Sequence, residues 1–400
     1  MEAAASLHDG DVGSDRIRRT ASRTLGVEQV KSDIVNRLST RAKYITFSLI
    51  PLLVVGTILH VTAGVVTYRE VRFEPDSLTG VTVYRTRIGR YPGGHRSRTQ
   101  LNTRGFPDRE YTALPPKGAC YHVVLAGDSF TFGDMTDGEL TWASLLRDRV
   151  AAIHREGCVR FFNVAAPVTT IEEQSRRVRE TIDILEPDLV LLGQYQNDIT
   201  DLTNFGSVAY VPATDSAATT NWGLRLRAAI PGYDSPFPRM LTYLAFKFFL
   251  ETGTKVDVLN RWSVLADSSN IAYASKLTGL YETFYVGLLQ ELRARKVRFG
   301  VIIMPSKMDI MAHRYPEGAF FEGLARKHDV PFYSTDAVLD ANRRPMPYYT
   351  YDGHFNERGN RIVADAVYRW LFVEEQNPFG ELRQAAGQAL APTYVPRFPK

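Results

Sequence analysis

YHVVLAGDSFTFG, residues 121–133, is the stretch on which the fold turns. Its first half is a mostly apolar run of strand length, and it stops at Gly127-Asp128-Ser129, residue types that end strands and make turns. Four further runs of the same kind follow: VRFFNV (159–164), DLVLLG (188–193), VRFGVIIM (297–304) and a short one at 330–333. Between them the apolar residues change to helical spacing. Trp142, Leu145, Leu146, Val150 and Ile153 share a face, as do Leu277, Leu280, Tyr281, Phe284, Leu288, Leu289 and Leu292, and then Ile362, Val363, Ala366, Val367, Trp370 and Leu371. Strands apolar on both faces, alternating with amphipathic helices, specify an α/β domain with a parallel sheet covered on both sides, placed at residues 118–375.

Outside that alternation the chain divides by composition. Residues 44–68, YITFSLIPLLVVGTILHVTAGVVTY, contain no Lys, Arg, Asp or Glu. Roughly 20 helical residues cross a bilayer core, so this run is read as one transmembrane helix. Arg37, Arg41 and Lys43 precede it, within a basic segment (1–43) that also holds Arg16, Arg18, Arg19, Arg23 and Lys31. Positive charge before a span predicts a cytoplasmic N-terminus, with everything after residue 68 periplasmic or extracellular. A cleaved signal peptide is the rival reading, disfavoured by the length and late start of the run. Residues 69–117, rich in Arg, Gly, Pro and Tyr, read as an irregular stalk or cover. Residues 199–270 read as an insertion in which MLTYLAFKFFL (240–250) is a buried helix or a lid. Residues 376–400 read as a poorly ordered tail.

With 400 residues, 44% of them hydrophobic, and a net charge of +4, the chain has enough apolar material for a full core. No stripe of basic and aromatic residues follows a path suited to a phosphate backbone, so nucleic acid is not an expected partner. No His, Cys, Asp and Glu cluster has metal-ligand spacing, and neither a metal nor another cofactor is expected. The only cysteines, Cys120 and Cys158, stand at the starts of the first two strands. They form either a disulfide, as an oxidising compartment allows, or two buried thiols.

Three sites carry reactive groups at strand ends or before a helix. Ser129 follows the first strand, Gln196-Asn197-Asp198 the third, and Asp352-Gly353-His354 precedes the last helix. In open α/β sheets ligands bind beyond the carboxyl ends of the strands. A serine hydroxyl becomes a nucleophile when a neutral histidine takes its proton and a carboxylate fixes that histidine's tautomer. Asp128 and Ser129 are equally suited to a plain turn, so the combination of sites decides the reading.

In these blocks the chain resembles the SGNH (GDSL-like) hydrolases, in the membrane-anchored form found in bacterial envelopes. GDSFTFG (127–133) resembles the first block, which implies Ser129 as nucleophile with its own N–H in the oxyanion hole. QND (196–198) resembles the third and implies the Asn197 amide as a second donor. DGHFNERGN (352–360) resembles the last and implies His354 as base with Asp352 as its partner. The implied fold is the flavodoxin-like three-layer α/β/α sandwich, here preceded by one transmembrane helix. Two departures stand out. The second block lacks its glycine: the stretch is Asn163-Val164-Ala165-Ala166-Pro167-Val168, so Val168 or Ala166 must supply that N–H, and a β-branched valine resists positive φ. The Asp and His are spaced D-x-H rather than the commoner D-x-x-H. The resulting expectation is a serine esterase acting on an acylated glycan or glycolipid, with an envelope O-acyltransferase, or a non-catalytic glycan-binding or scaffold subunit with envelope partners, as alternatives.

Overall fold

The computed structural model describes residues 40, 43–44, 47–66, 68–75, 82–89, 94–110, 119–154, 158–204, 237, 240–241, 263–265, 271–350, 352–374 and 377–387. Most of the basic N-terminal segment, most of the expected insertion, including residues 242–250 of its apolar stretch, and residues 388–400 lie outside them.

The central sheet has five parallel strands: β4 (Tyr121–Gly127), β5 (Val159–Asn163), β6 (Leu189–Tyr195), β7 (Arg298–Met304) and β8 (Phe332–Ser334). Their spatial order is β5-β4-β6-β7-β8, the flavodoxin-like order 2-1-3-4-5. Alternation within each strand sorts side chains between two cores. Val123, Leu125, Leu189, Leu191 and Ile302 point to one face, and Val124, Ala126, Val190, Leu192 and Val301 to the other. On the first face lie α3 (Trp142–Ile153), through Trp142, Leu146 and Val150, and α10 (Glu357–Tyr368), through Ile362, Val363 and Val367. The second face is covered by α4 (Ile171–Leu185), α6 (Ile271–Ala294) and α8 (Pro316–Lys327). This is the expected three-layer sandwich. Short helices α2 (Ser129–Phe132), α5 (Asn197–Asn204), α7 (Lys307–Ala312) and α9 (Asp336–Ala341) follow strands β4, β6, β7 and β8.

Helix α1 (Phe47–Val66) is long and apolar enough to cross a membrane, with a mean hydropathy of 2.2 in its most apolar window. It is the only such helix among the described residues.

Two segments differ from expectation. Residues 69–117 are not simply irregular: β1 (Arg69–Pro75), β2 (Thr82–Ile88) and β3 (His95–Gln100) form an antiparallel sheet in that order. Its buried side carries Thr86, Ser97 and Thr99 beside Tyr84 and Ile88, while arginines occupy the outer side. A polar inner face erases the apolar alternation by which a strand is recognised. The expected tail begins instead with helix α11 (Gly380–Ala385), which is held against the first core by fully buried Phe379 and Leu382. Cys120 and Cys158 are bonded to each other, settling the choice left open by their spacing.

Candidate active site

Strands β4 and β6 are neighbours, and the chain leaves β4 towards one face of the sheet and β6 towards the other. The crevice between their carboxyl ends is the topological switch point, where open α/β sheets place ligands. Ser129 and Asn197 are the residues that follow those two ends.

The turn that presents Ser129 depends on both glycines of its heptapeptide. Gly127 has φ 152°, and a Cβ there would collide with Thr131 and the Gly193 carbonyl. Gly133 closes α2 at φ 86°, where a Cβ would strike Thr141. Between them Asp128 caps α2, its Oδ1 accepting from the Phe130 N–H at 2.9 Å. Ser129 is thus the first residue of a helix, with an N–H that has no intrahelical acceptor.

The Ser129 hydroxyl donates to His354 Nε2 at 2.8 Å, and His354 Nδ1–H donates to Asp352 Oδ1 at 2.5 Å. The same Asp352 oxygen accepts the His354 backbone N–H at 2.8 Å. The short D-x-H spacing is therefore no obstacle: the tight turn lets one carboxylate oxygen hold both the ring and the main chain. Phe130 stacks on the imidazole with ring centroids 5.0 Å apart. Buried Lys307 donates to the carbonyls of Tyr349 and Thr350 at 2.7 and 2.9 Å, bracing the chain that leads to Asp352. Burial depresses that lysine to about 8, opposed by the field of Asp352.

Charges tune the pair. Burial by itself would lower the His354 imidazolium and raise Asp352. Their mutual attraction and hydrogen bond win, so His354 is raised above its ordinary value and Asp352 falls well below the carboxylate range. A second carboxylate adds to the effect on His354. Asp134 Oδ2 lies 3.7 Å from His354 Nε2, on the serine side of the ring. Arg69 reaches both carboxylates, 3.0 Å from Asp134 Oδ2 and 3.6 Å from Asp352 Oδ2.

The expected oxyanion donors are distributed as follows. Val168 sits at φ 59°, the left-handed conformation a glycine would take, and the residue is 57% exposed. The expectation that valine resists this geometry is overturned by its surroundings. Asn163 Nδ2 donates to the Thr131 carbonyl at 2.9 Å, its Oδ1 accepts the Ala165 N–H at 3.1 Å, and Thr169 Oγ1 donates to the Ala166 carbonyl at 2.8 Å. Anchored on both sides, the turn holds the strained residue in place. The Ala166 N–H is given to the Gly127 carbonyl at 3.3 Å, which leaves the Val168 N–H as the candidate of the two. Asn197 gives one amide hydrogen to Asp201 Oδ2 at 2.7 Å; a primary amide has a second to offer. Beneath this region Asp128 and Asp198 are buried, and burial raises both above the ordinary carboxylate range, helped by the charge of Asp201 on Asp128 and of Asp128 and Asp201 on Asp198.

Asp134, Arg69, Tyr84 and Lys307 were not legible as site residues. Asp134 stands one position beyond the heptapeptide and looks like turn filler, and Arg69 is 65 positions away from it.

A parallel 2-1-3-4-5 sheet with Ser129, His354 and Asp352 hydrogen-bonded in sequence at its switch point is an arrangement suited to a hydrolase. More narrowly, the chain belongs to the GDSL-like lipase/acylhydrolase family, which matches residues 123–367. That family carries out ester and acyl hydrolysis. Among solved structures the chain is similar to the acetyl xylan esterase AlAXEase (14% identity, 62% of this chain and 98% of that one, TM-score 0.38). It is also similar to the psychrotrophic esterase EstA from Pseudoalteromonas sp. (13%, 62% and 98%, TM-score 0.35). A third is a catalytic mutant of the acetylxylan esterase Axe2 from Geobacillus stearothermophilus (16%, 63% and 94%, TM-score 0.36). No curated protein matches the sequence.

Proposed function

We propose that the chain is a membrane-anchored serine esterase that releases acyl groups from an acylated glycan or glycolipid outside the cytoplasm, with Ser129 as nucleophile. The observation that carries this reading is the unbroken relay Ser129 Oγ–His354–Asp352, at 2.8 and 2.5 Å. His354 Nε2 takes the hydroxyl proton as Oγ attacks the ester carbonyl, and Asp352 stabilises the imidazolium that results. The carbonyl oxygen, now negative, meets the N–H groups of Ser129 and Val168 and the Asn197 amide, each such donor being worth about 2.7–4 kcal/mol in favourable cases. Collapse expels the sugar oxygen, which His354 protonates, and leaves an acyl-serine. Water, activated by the same histidine, then attacks that ester and frees Ser129.

Location is inferred from two independent features. Helix α1 is preceded by Arg37, Arg41 and Lys43, which favours a cytoplasmic N-terminus and an outer catalytic domain. The Cys120–Cys158 disulfide supports the same side, because such bonds persist in oxidising compartments. The non-catalytic alternative rested on the missing second-block glycine. Val168 adopting φ 59° takes that ground away.

The test is fluorophosphonate labelling of the full chain in detergent, alongside Ser129→Ala and His354→Ala. Labelling of the parent, lost in both variants, supports the reading; folded parent protein that never labels overturns it. Acyl transfer to added saccharide at the expense of release would reassign the second half-reaction to a sugar acceptor.

A further inference from the structure

We propose that Arg69, three residues beyond the apolar helix, is a positioning residue that keeps His354 available as a base by holding Asp134 off its Nε2 nitrogen. The inference rests on the serine-hydrolase reading above and extends the site beyond residues 123–367, which the family accounts for.

His354 has carboxylates on both sides. Asp352 is hydrogen-bonded to Nδ1, as a catalytic partner should be. Asp134 lies 3.7 Å from Nε2, the nitrogen that must accept the serine proton. A free carboxylate there would close that gap and pair with a protonated Nε2. The imidazolium would then be trapped between two anions and the base lost. In the structure Asp134 is fully engaged elsewhere. Its Oδ1 accepts from the Tyr84 hydroxyl at 2.7 Å and the Met135 N–H at 2.8 Å, and its Oδ2 faces the Arg69 guanidinium at 3.0 Å. The second guanidinium nitrogen stands 3.6 Å from Asp352, so one cation balances both anions. Both carboxylates are buried and poorly screened, at 2% and 6% side-chain exposure, so the missing charge would be felt by the ring between them.

All three strands of the antiparallel sheet contribute to this clamp. Arg69 on β1 and Tyr84 on β2 hold Asp134. His95 on β3 donates through Nε2 to the Met135 carbonyl at 2.5 Å, and the same nitrogen lies 2.9 Å from the Tyr349 hydroxyl. Met135 itself is at φ 64°, so the loop is fixed in a conformation it would not choose alone. Among the described residues, the charged and titratable groups that face the His354–Asp352 pair are Asp134, Arg69, Asp128, Lys307 and the tyrosines Tyr84, Tyr195 and Tyr349, and of the cations there only Arg69 touches both flanking carboxylates.

The experiment measures fluorophosphonate labelling rate against pH for the full chain carrying Arg69→Gln, Arg69→Lys, and Arg69→Gln with Asp134→Asn. Arg72→Gln, on the opposite face of β1, serves as control, and thermal unfolding monitors folding. In Arg69→Gln the acid limb moves up by about one pH unit, so labelling near pH 6 falls about tenfold while labelling near pH 9 falls less than about threefold. Arg69→Lys restores most of the loss, and adding Asp134→Asn returns the limb to near its original position. A loss equal at every pH, or a double variant no better than Arg69→Gln, overturns the proposal while leaving the serine-hydrolase reading intact. A parent chain that does not label overturns both.

Discussion

Exchanging a valine for glycine normally weakens a protein, yet at Val168 the opposing effects nearly cancel. The left-handed backbone costs a residue with a Cβ about 1–2 kcal/mol, and glycine removes that cost. Against it stand the greater freedom of glycine in the unfolded chain, about 0.5–1 kcal/mol, and lost side-chain burial. Val168 is 57% exposed, so less than half of the roughly 1.5–3 kcal/mol of a fully buried aliphatic side chain is at stake, about 1 kcal/mol. Val168→Gly is therefore expected to change stability by no more than about 1 kcal/mol in either direction, a shift of a few degrees in Tm at most for a domain of this size. Because the N–H stays where it is, the labelling rate should remain within about threefold of the parent. Val168→Pro provides the contrast: it has no N–H and cannot adopt positive φ, so labelling should fall by about 10²–10³. Differential scanning fluorimetry and fluorophosphonate kinetics on the same preparations read both quantities. If Val168→Gly lost more than about 2 kcal/mol, or labelled more than tenfold slower while folded, the left-handed valine would not be what presents the donor.

Three other outcomes are expected. Asp352→Asn keeps the shape of the turn but lets the imidazole take the wrong tautomer, and labelling should drop by about 10⁴; a loss under tenfold would show that Asp352 does not orient His354. Because His354 is raised above its ordinary value, the rate of the parent should still be climbing above pH 6.5, and Asp134→Asn alone, by removing one source of that rise, should move the acid limb downward; an upward move would contradict the assigned sign. Replacing Cys120 and Cys158 by serine opens a 38-residue span, for which loop-closure entropy gives about 4 kcal/mol of lost stability; urea unfolding of oxidised and variant protein tests this, and identical midpoints would mean the bond constrains nothing.

The physical reason for what could be read from the chain alone is locality. Val123 to Ala126 are apolar on both faces because both faces are covered, so the strand and its place in a parallel sheet show in consecutive residues. Gly127, Ser129 and Gly133 are bound to one turn by their own backbone angles, and Asp352 reaches His354 within the same turn. The apolar helix announces itself by composition. These features depend on neighbours in sequence, and they give the sandwich and point to the proposed nucleophile and base.

What the tertiary structure decided lies in contacts between distant segments. The bond between Cys120 and Cys158 depends on strands β4 and β5 lying side by side, which spacing could not settle. Whether Val168 could take a left-handed conformation depended on Asn163 and Thr169 anchoring its turn, rather than on valine's own preference. The meander of β1 to β3 hid because its inner face is hydroxyl-rich and its outer face arginine-rich, which gives no apolar period to detect. Arg69, Tyr84 and Asp134 each look unremarkable where they stand. Only the packing of that meander against the end of β4 brings them together, and the charge balance around His354 exists only once they meet.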